Sequence, residues 1–136
     1  MERVFFDTNI LVYYFGKEDS AKFTTTHTLF FNPDLEVIIS TQVLSEFSNV
    51  FLRKKLMTYS ELKVHIEKIA HQFEIVDFSI RDIVKAIDLK ARYKLSYYDG
   101  LIISNALAAG CTTLYSEDLH NGLMVERQLK IVNPFK

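Results

Sequence analysis

Four carboxylates interrupt apolar stretches of this sequence in similar ways. Asp7 stands in Val4-Phe5-Phe6-Asp7-Thr8-Asn9-Ile10-Leu11 and Glu46 in Val43-Leu44-Ser45-Glu46-Phe47. Asp99 stands in Ser96-Tyr97-Tyr98-Asp99-Gly100-Leu101 and Asp118 in Leu114-Tyr115-Ser116-Glu117-Asp118-Leu119. A carboxylate among so many apolar side chains is costly to bury unless it is paired, hydrogen-bonded or bound to a cation. If the four meet, each pair about 4 Å apart repels by roughly 4 kcal/mol at an effective dielectric near 20. Mg²⁺ or Mn²⁺ removes that cost, because such ions prefer oxygen ligands and keep several waters beside a few carboxylates. An ion of this kind makes water a better nucleophile and stabilises charge on a phosphate undergoing in-line displacement. The chemistry such a cluster supports is phosphodiester hydrolysis.

Each acid also has an explanation that involves no chemistry. Asp is among the best N-caps, which suits Asp7 ahead of a helix. Asp99 has capping-box spacing from Ser96, and the macrodipole favours an acid in a first turn. Glu46 fits a solvated helix edge, and Asp118 fits a turn. Taken singly the acids are ambiguous; the elements that carry them decide whether they meet.

Val4 to Phe6 is an apolar run ending at a polar break, the pattern of a short buried strand with Asp7 at its carboxyl end. Ile10 to Phe15 continues as a short helix that stops near Gly16. Ser20 to Phe31 reads as a second helix, weakened by the β-branched Thr24, Thr25 and Thr26. Asn32-Pro33-Asp34 is a turn signal, and Glu36 to Ser40 is a second buried strand. Thr41 opens a helix with the apolar stripe Val43, Leu44, Phe47, Val50 and Phe51. That helix frays at Arg53-Lys54-Lys55. Thr58 and Glu61 have capping-box spacing for a helix running to about Gln72. Phe73 to Phe78 is a third strand, and Ser79 to Asp82 opens the next helix. From Ser96 a further helix is apolar on nearly every side through Ala109, as befits burial between layers, with Gly110 at its C′ position. Thr112 to Tyr115 is a fourth strand, Ser116 to Gly122 a polar loop, and Lys130 to Val132 a short last strand.

Strands alternating with helices predict one α/β domain over residues 1–136, with a four- to five-stranded, mostly parallel sheet flanked by helices. In such a sheet, strand ends and the helix starts that follow them face one rim, where ligand crevices form. All four acids can converge there.

The rest of the composition narrows the chemistry. At 136 residues the chain buries about two-thirds of its unfolded surface. With 49% hydrophobic and 24% charged residues it is an ordinary globular protein. A net charge of −1 leaves no global basic field for nucleic acid, although a local basic face around an acidic site would cancel in the sum. Cys111 is the only cysteine, which forbids an intramolecular disulfide and suits a reducing compartment. After Ala108-Ala109-Gly110 it reads as a small core residue. No signal-peptide pattern opens the sequence, and no apolar run approaches the roughly 18 residues of a membrane span. A cytoplasmic protein is expected. His27, His65, His71 and His120 are too scattered for zinc, and His65 and His71 share one amphipathic helix as surface or boundary residues. Gly16, Gly100, Gly110 and Gly122 are isolated, so there is no phosphate-cradling loop. No Gly-x-Ser-x-Gly elbow or Cys–His pair offers a nucleophile.

The four segments, in this order and spacing, resemble the PIN-domain ribonucleases, and within them the VapC-type toxins of toxin–antitoxin pairs. The resemblance covers essentially the whole chain. It implies a parallel sheet of order 3-2-1-4-5, and an acidic site on Asp7, Glu46, Asp99 and Asp118 that binds one or two Mg²⁺ or Mn²⁺ ions. It implies that Thr8 or Asn9, with Ser116, orients the first acid. It further implies a homodimer, an RNA substrate and an antitoxin whose tail crosses the site. Many relatives carry another acid where this chain has His120, which suits either a substrate phosphate contact or an exposed loop position. Arg53 and Lys54, with Lys55, Lys90, Arg92 and Lys94, are available for RNA phosphates or stand as solvated helix ends. Tyr97 and Tyr98 suit core or interface packing, or base stacking.

Two other readings are distinguishable. A phospho-acceptor signalling domain needs two adjacent acids after the first strand and a lysine after the last. Here Asp7 has no acidic neighbour and Lys130 precedes its strand. A non-catalytic binding module of the same fold would give no heat on metal titration; the complete acid set argues against it.

Overall fold

The computed structural model describes residues 1–136. Six strands form one sheet: β1 (Glu2–Phe6), β2 (Leu35–Ser40), β3 (Glu74–Val76), β4 (Thr113–Tyr115), β5 (Met124–Val125) and β6 (Leu129–Val132). Their order is β3-β2-β1-β4-β6-β5. The first five in that row are parallel, and β5 pairs antiparallel with β6 at the edge. The predicted five-strand order is therefore present, with β6 as the fifth predicted strand and β5 added. Six helices connect the strands: α1 (Thr8–Gly16), α2 (Ser20–Phe30), α3 (Thr41–Arg53), α4 (Tyr59–Gln72), α5 (Ile80–Tyr93) and α6 (Tyr97–Ala108).

The central strands are buried on both faces, which is why they read as continuous apolar runs. Val4, Phe5, Phe6, Ile38, Ile39 and Leu114 have no solvent exposure. Phe47 and Phe51 from the α3 stripe and Ile103 and Ala106 from α6 close over them. Cys111 lies in the same core, and burial pushes its thiol up to about 12, so it stays protonated and inert. No helix is long and apolar enough to cross a membrane.

Most element boundaries fall within two residues of the sequence reading, and two differences have physical reasons. The third strand spans only Glu74–Val76 rather than Phe73 to Phe78, because the Phe73 N–H closes α4 onto the Ile69 carbonyl. Strand β5 was not predicted at all. It is joined to β6 by a turn in which Gln128 N–H bonds the Val125 carbonyl and both Glu126 (φ 52°) and Arg127 (φ 58°) are left-handed. That is a type I′ hairpin, which usually shows itself through Asn-Gly or Asp-Gly. Here the strained turn is held from outside: Lys85 and Arg92 pair with the Glu126 carboxylate, and Tyr93 Oη accepts the Glu126 N–H at 3.1 Å.

Helix α2 forms despite its threonines. Thr24, Thr25 and Thr28 donate their hydroxyls back to the carbonyls of Ser20, Ala21 and Thr24. Tyr14 of α1 stacks on Phe30 with centroids 4.1 Å apart and planes within 8°, and on Phe23 at 5.6 Å. Tertiary packing outweighs the weak local propensity.

Candidate active site

The strand order reverses between β1 and β4, so the crevice beyond their carboxyl ends is the switch point of the sheet. Asp7 follows β1 and Ser116 follows β4, side by side across that point, with the Asp7 N–H bonded to the Tyr115 carbonyl at 3.0 Å. Asp7 is 5% exposed. Its Oδ1 accepts the Thr8 N–H at 2.7 Å and its Oδ2 accepts the Ser116 hydroxyl at 2.7 Å. The cap of α1 is thus Asp7 itself. Its two possible roles, N-cap and buried site acid, coincide in one carboxylate.

The neighbouring polar residues serve different acids from those the resemblance implied. Thr8 directs its hydroxyl to Glu46 Oε2 at 2.7 Å, so it contributes only a backbone bond to Asp7. Asn9 donates from Nδ2 to Asp118 Oδ2 at 3.1 Å and accepts the Glu117 N–H at 3.2 Å. Successive residues on a helix point about 100° apart. The first turn of α1 therefore reaches α3 with Thr8 and the loop after β4 with Asn9. Only Ser116 orients Asp7 through a side chain. It is a hub: its Oγ also accepts the N–H groups of Asp118 at 3.2 Å and Leu119 at 3.4 Å.

Asp99 arrives by another route. It lies in the first turn of α6, which follows α5 rather than a strand. Ser96 caps the helix by accepting the Asp99 N–H at 3.1 Å. The α5–α6 pair packs closely enough that a Cβ on Gly100 would lie 2.8 Å from the Ala86 carbonyl oxygen. The pair is further joined by Asp82, which caps α5 with Ser79 and accepts the Ser104 hydroxyl of α6 at 3.1 Å.

Electrostatically, the charges of the neighbouring acids fall on Asp7 and Asp99. Burial first, and then the charges of Glu46 and Asp99, push the Asp7 carboxyl from 3.8 up to about 6, against the bonds from Ser116 and Thr8. Asp99 is raised by its burial and by the charges of Asp118 and Glu46. No lysine or arginine offsets them. The ion pairs of the chain engage Glu36, Glu74, Glu117 and Glu126 instead. No three His, Cys, Asp or Glu side chains stand at a spacing that would grip an ion directly. An all-oxygen donor set with uncompensated charge and an open spacing fits a hard cation that retains much of its water.

The remaining predicted contacts lie farther out. His120 is exposed on the loop two residues beyond Asp118. Arg53 and Lys54 are exposed at the far end of α3, about 10 Å along the helix axis from Glu46. Gln42 was missed. Its Nε2 donates to Glu46 Oε1 at 3.0 Å and to the Tyr98 carbonyl at 3.4 Å, tying α3 to the start of α6. Its position four residues before Glu46, on the same helix face, was the available signal.

Ser116→Ala removes a donor from a buried carboxylate and is expected to destabilise the fold by about 1–3 kcal/mol. The hydroxyl favours the ionised form of Asp7, so the loss should be largest above pH 6, where Asp7 is charged, and should shrink as pH falls and Asp7 protonates. Urea unfolding at pH 5 and pH 8 measures it. An equal loss at both values would assign Ser116 to its loop bonds alone.

An open α/β sheet with an acidic crevice at its switch point defines the class. Within that class, the family model for the PIN domain matches residues 4–120, and the chain belongs to the PIN domain family. Solved structures share the fold. A Klebsiella pneumoniae toxin–antitoxin complex aligns with TM-score 0.70 at 18% identity, over 96% of this chain and 97% of that one. VapBC2 from Rickettsia felis, bound to a DNA fragment from its promoter, aligns with TM-score 0.68 at 20% identity, over 96% and 99%. VapC20 from Mycobacterium tuberculosis, described as a sarcin–ricin loop cleaving toxin, aligns with TM-score 0.68 at 16% identity, over 85% and 91%. No curated protein sequence matches the chain.

Proposed function

We propose that this protein is an endoribonuclease dependent on Mg²⁺ or Mn²⁺, acting as the toxin of a toxin–antitoxin pair. The observation that carries the reading is the set Asp7, Glu46, Asp99 and Asp118: carboxylates from four separate segments whose charges bear on Asp7 and Asp99 and raise the proton affinity of those two, with no protein cation to offset them. Membership of the PIN family supports it. So do the solved neighbours, one a toxin–antitoxin complex and one a toxin that cleaves RNA of the sarcin–ricin loop.

In this reading Asp7 would be the central ligand, with Asp99, Asp118 and Glu46 around it, the more distant of them holding the ion through its retained waters. One or two ions held there would supply charge neutralisation for the phosphate and a water of lowered pKa. Ser116 and the Thr8 N–H fix both oxygens of Asp7, so its carboxylate is held in one orientation and would need no rearrangement to bind an ion. Thr8 and Gln42 hold the two oxygens of Glu46, and Asn9 holds Asp118. His120, Arg53 and Lys54 serve as outer contacts for RNA phosphates. The exposed stripe Ile80, Val84 and Ile87 on α5 is the face for a second copy in a homodimer, and an antitoxin segment closes the acidic rim.

RNA cleavage tests this directly. Wild type with Mg²⁺ or Mn²⁺ should cut, and Asp7→Asn and Asp99→Asn should each lower the rate by more than about a hundredfold, beyond the typical effect of losing a ligand's supporting partner. Unchanged cleavage in both variants would overturn the site assignment.

A further inference from the structure

Adjoining the acidic site at Glu46, between α3 and α6, lies a cavity of about 530 Å³ whose other walls take no part in that site. Its apolar wall is made by Phe78, Tyr98 and Leu101, and Thr41 and Ser45 border it with hydroxyls. Two aromatic rings at its mouth are open to solvent: Phe78 is 43% and Tyr98 64% exposed. Tyr97 packs edge-on against Tyr98 with centroids 5.2 Å apart, which supports one side of that ring. The walls are joined by Gln42, bonded both to Glu46 on α3 and to the Tyr98 carbonyl on α6, so the cavity exists before any ligand enters. No lysine, arginine or histidine lines it, and Glu46 at its edge repels anions. It is therefore unsuited to a phosphate and suited to a neutral planar group.

We infer that this cavity is a nucleobase subsite: it takes the base next to the phosphate held at the acidic crevice, stacked against Tyr98 and Phe78. The inference rests on the ribonuclease reading for why a base should stand there, and adds where the strand runs. Unstacked bases of single-stranded RNA are recognised by stacking on aromatic rings together with hydrogen bonds to their edges. Here Tyr98 and Phe78 supply the stacking surface, and the hydroxyls of Thr41 and Ser45 meet the base edge. The volume is within the range of small-ligand sites. The strand would then pass from the acids over the first turn of α6, with its phosphates kept out of the cavity by Glu46.

The chain has no tryptophan, so Tyr98→Trp makes a single reporter inside the subsite while preserving a stacking ring. Titration of that variant, without divalent metal, with adenosine 5′-monophosphate or uridine 5′-monophosphate should quench its fluorescence saturably. Ribose 5-phosphate, which lacks the base, should not. Adding Phe78→Ala should weaken nucleotide binding roughly five- to a hundredfold, the range of one base–aromatic stack. Equal quenching by ribose 5-phosphate would mean that the phosphate is what binds and would overturn the proposal. A blue shift that grows with protein concentration and resists nucleotide would mean that a second copy fills the cavity, with the same consequence. Absence of any nucleotide response would also sink it. These outcomes are separate from the RNA cleavage assay on Asp7→Asn and Asp99→Asn, so failure of the subsite is distinguishable from failure of the ribonuclease reading.

Discussion

Asp7→Asn is expected to make the metal-free protein more stable at pH 7.5, by about 1–3 kcal/mol, while removing its activity. Burial, with the charges of Glu46 and Asp99, lifts the Asp7 carboxyl from 3.8 to about 6. At pH 7.5 the group is ionised in both folded and unfolded chains, and the folded state carries the full cost of the buried charge. Protonation as pH falls from about 6 toward 3.8 removes that cost, so this group's contribution favours the fold at low pH and is lost as pH rises through 6. A shift of about two units corresponds to roughly 3 kcal/mol. Asparagine keeps an oxygen for the Thr8 N–H but presents an amide to Ser116, which must then accept rather than donate, so part of the gain is forfeited. The advantage of the variant should shrink at pH 4. Millimolar Mn²⁺ or Mg²⁺ should reverse the order, because an ion present at a hundred times its Kd stabilises a protein that binds it by about 2.7 kcal/mol. Urea unfolding of both proteins at pH 4 and 7.5, with and without the ion, gives all the comparisons. A variant less stable than wild type at pH 7.5 without metal would show that Asp7 is structural rather than a strained functional acid. Stability forgone at a working site is a common pattern.

Gly100→Ala is expected to lower stability by about 1–2 kcal/mol and to weaken metal binding, although alanine is the better helix former. Alanine inside a helix gains up to about 1 kcal/mol over glycine. Against this, its Cβ would stand 2.8 Å from the Ala86 carbonyl oxygen and 3.4 Å from the Ala86 Cα, both backbone atoms of α5. No side chain can swing away there; the two helices must part. Overpacking of this kind costs about 1–3 kcal/mol. The shift falls on the residue next to Asp99, so the acid moves with the helix. Thermal unfolding should drop by several degrees, and Mn²⁺ affinity by calorimetry should fall with it. A variant as stable as wild type would mean that α5 and α6 have slack the packing does not show.

Much of the fold was legible because burial leaves a one-dimensional trace. The runs at Val4–Phe6 and Glu36–Ser40, the stripe on α3 and the all-apolar α6 each report how many faces are covered. The order of the strands was implied by family resemblance and not by any local pattern. The edge strand β5 was invisible, since Glu126 and Arg127 hold left-handed conformations through Lys85, Arg92 and Tyr93, residues more than 30 positions away. Gln42 is legible in principle from its helical spacing to Glu46, although its second bond, to the Tyr98 carbonyl, is not.

The sequence by itself determined which acids are available, that each borders an apolar element, and that a metal is the natural remedy for gathering them. It also determined that Asp7 can cap a helix. Only the tertiary structure decided that capping and burial fall on the same carboxylate, with Thr8 serving Glu46 and Asn9 serving Asp118. Only it decided that Asp99 reaches the crevice through a helix pair whose approach depends on Gly100. The reason is physical. Residue type and local periodicity set what a side chain can do, whereas a hydrogen-bond partner depends on direction. Direction around the switch point follows from strand order and from the 100° step along α1, neither of which is local in the chain.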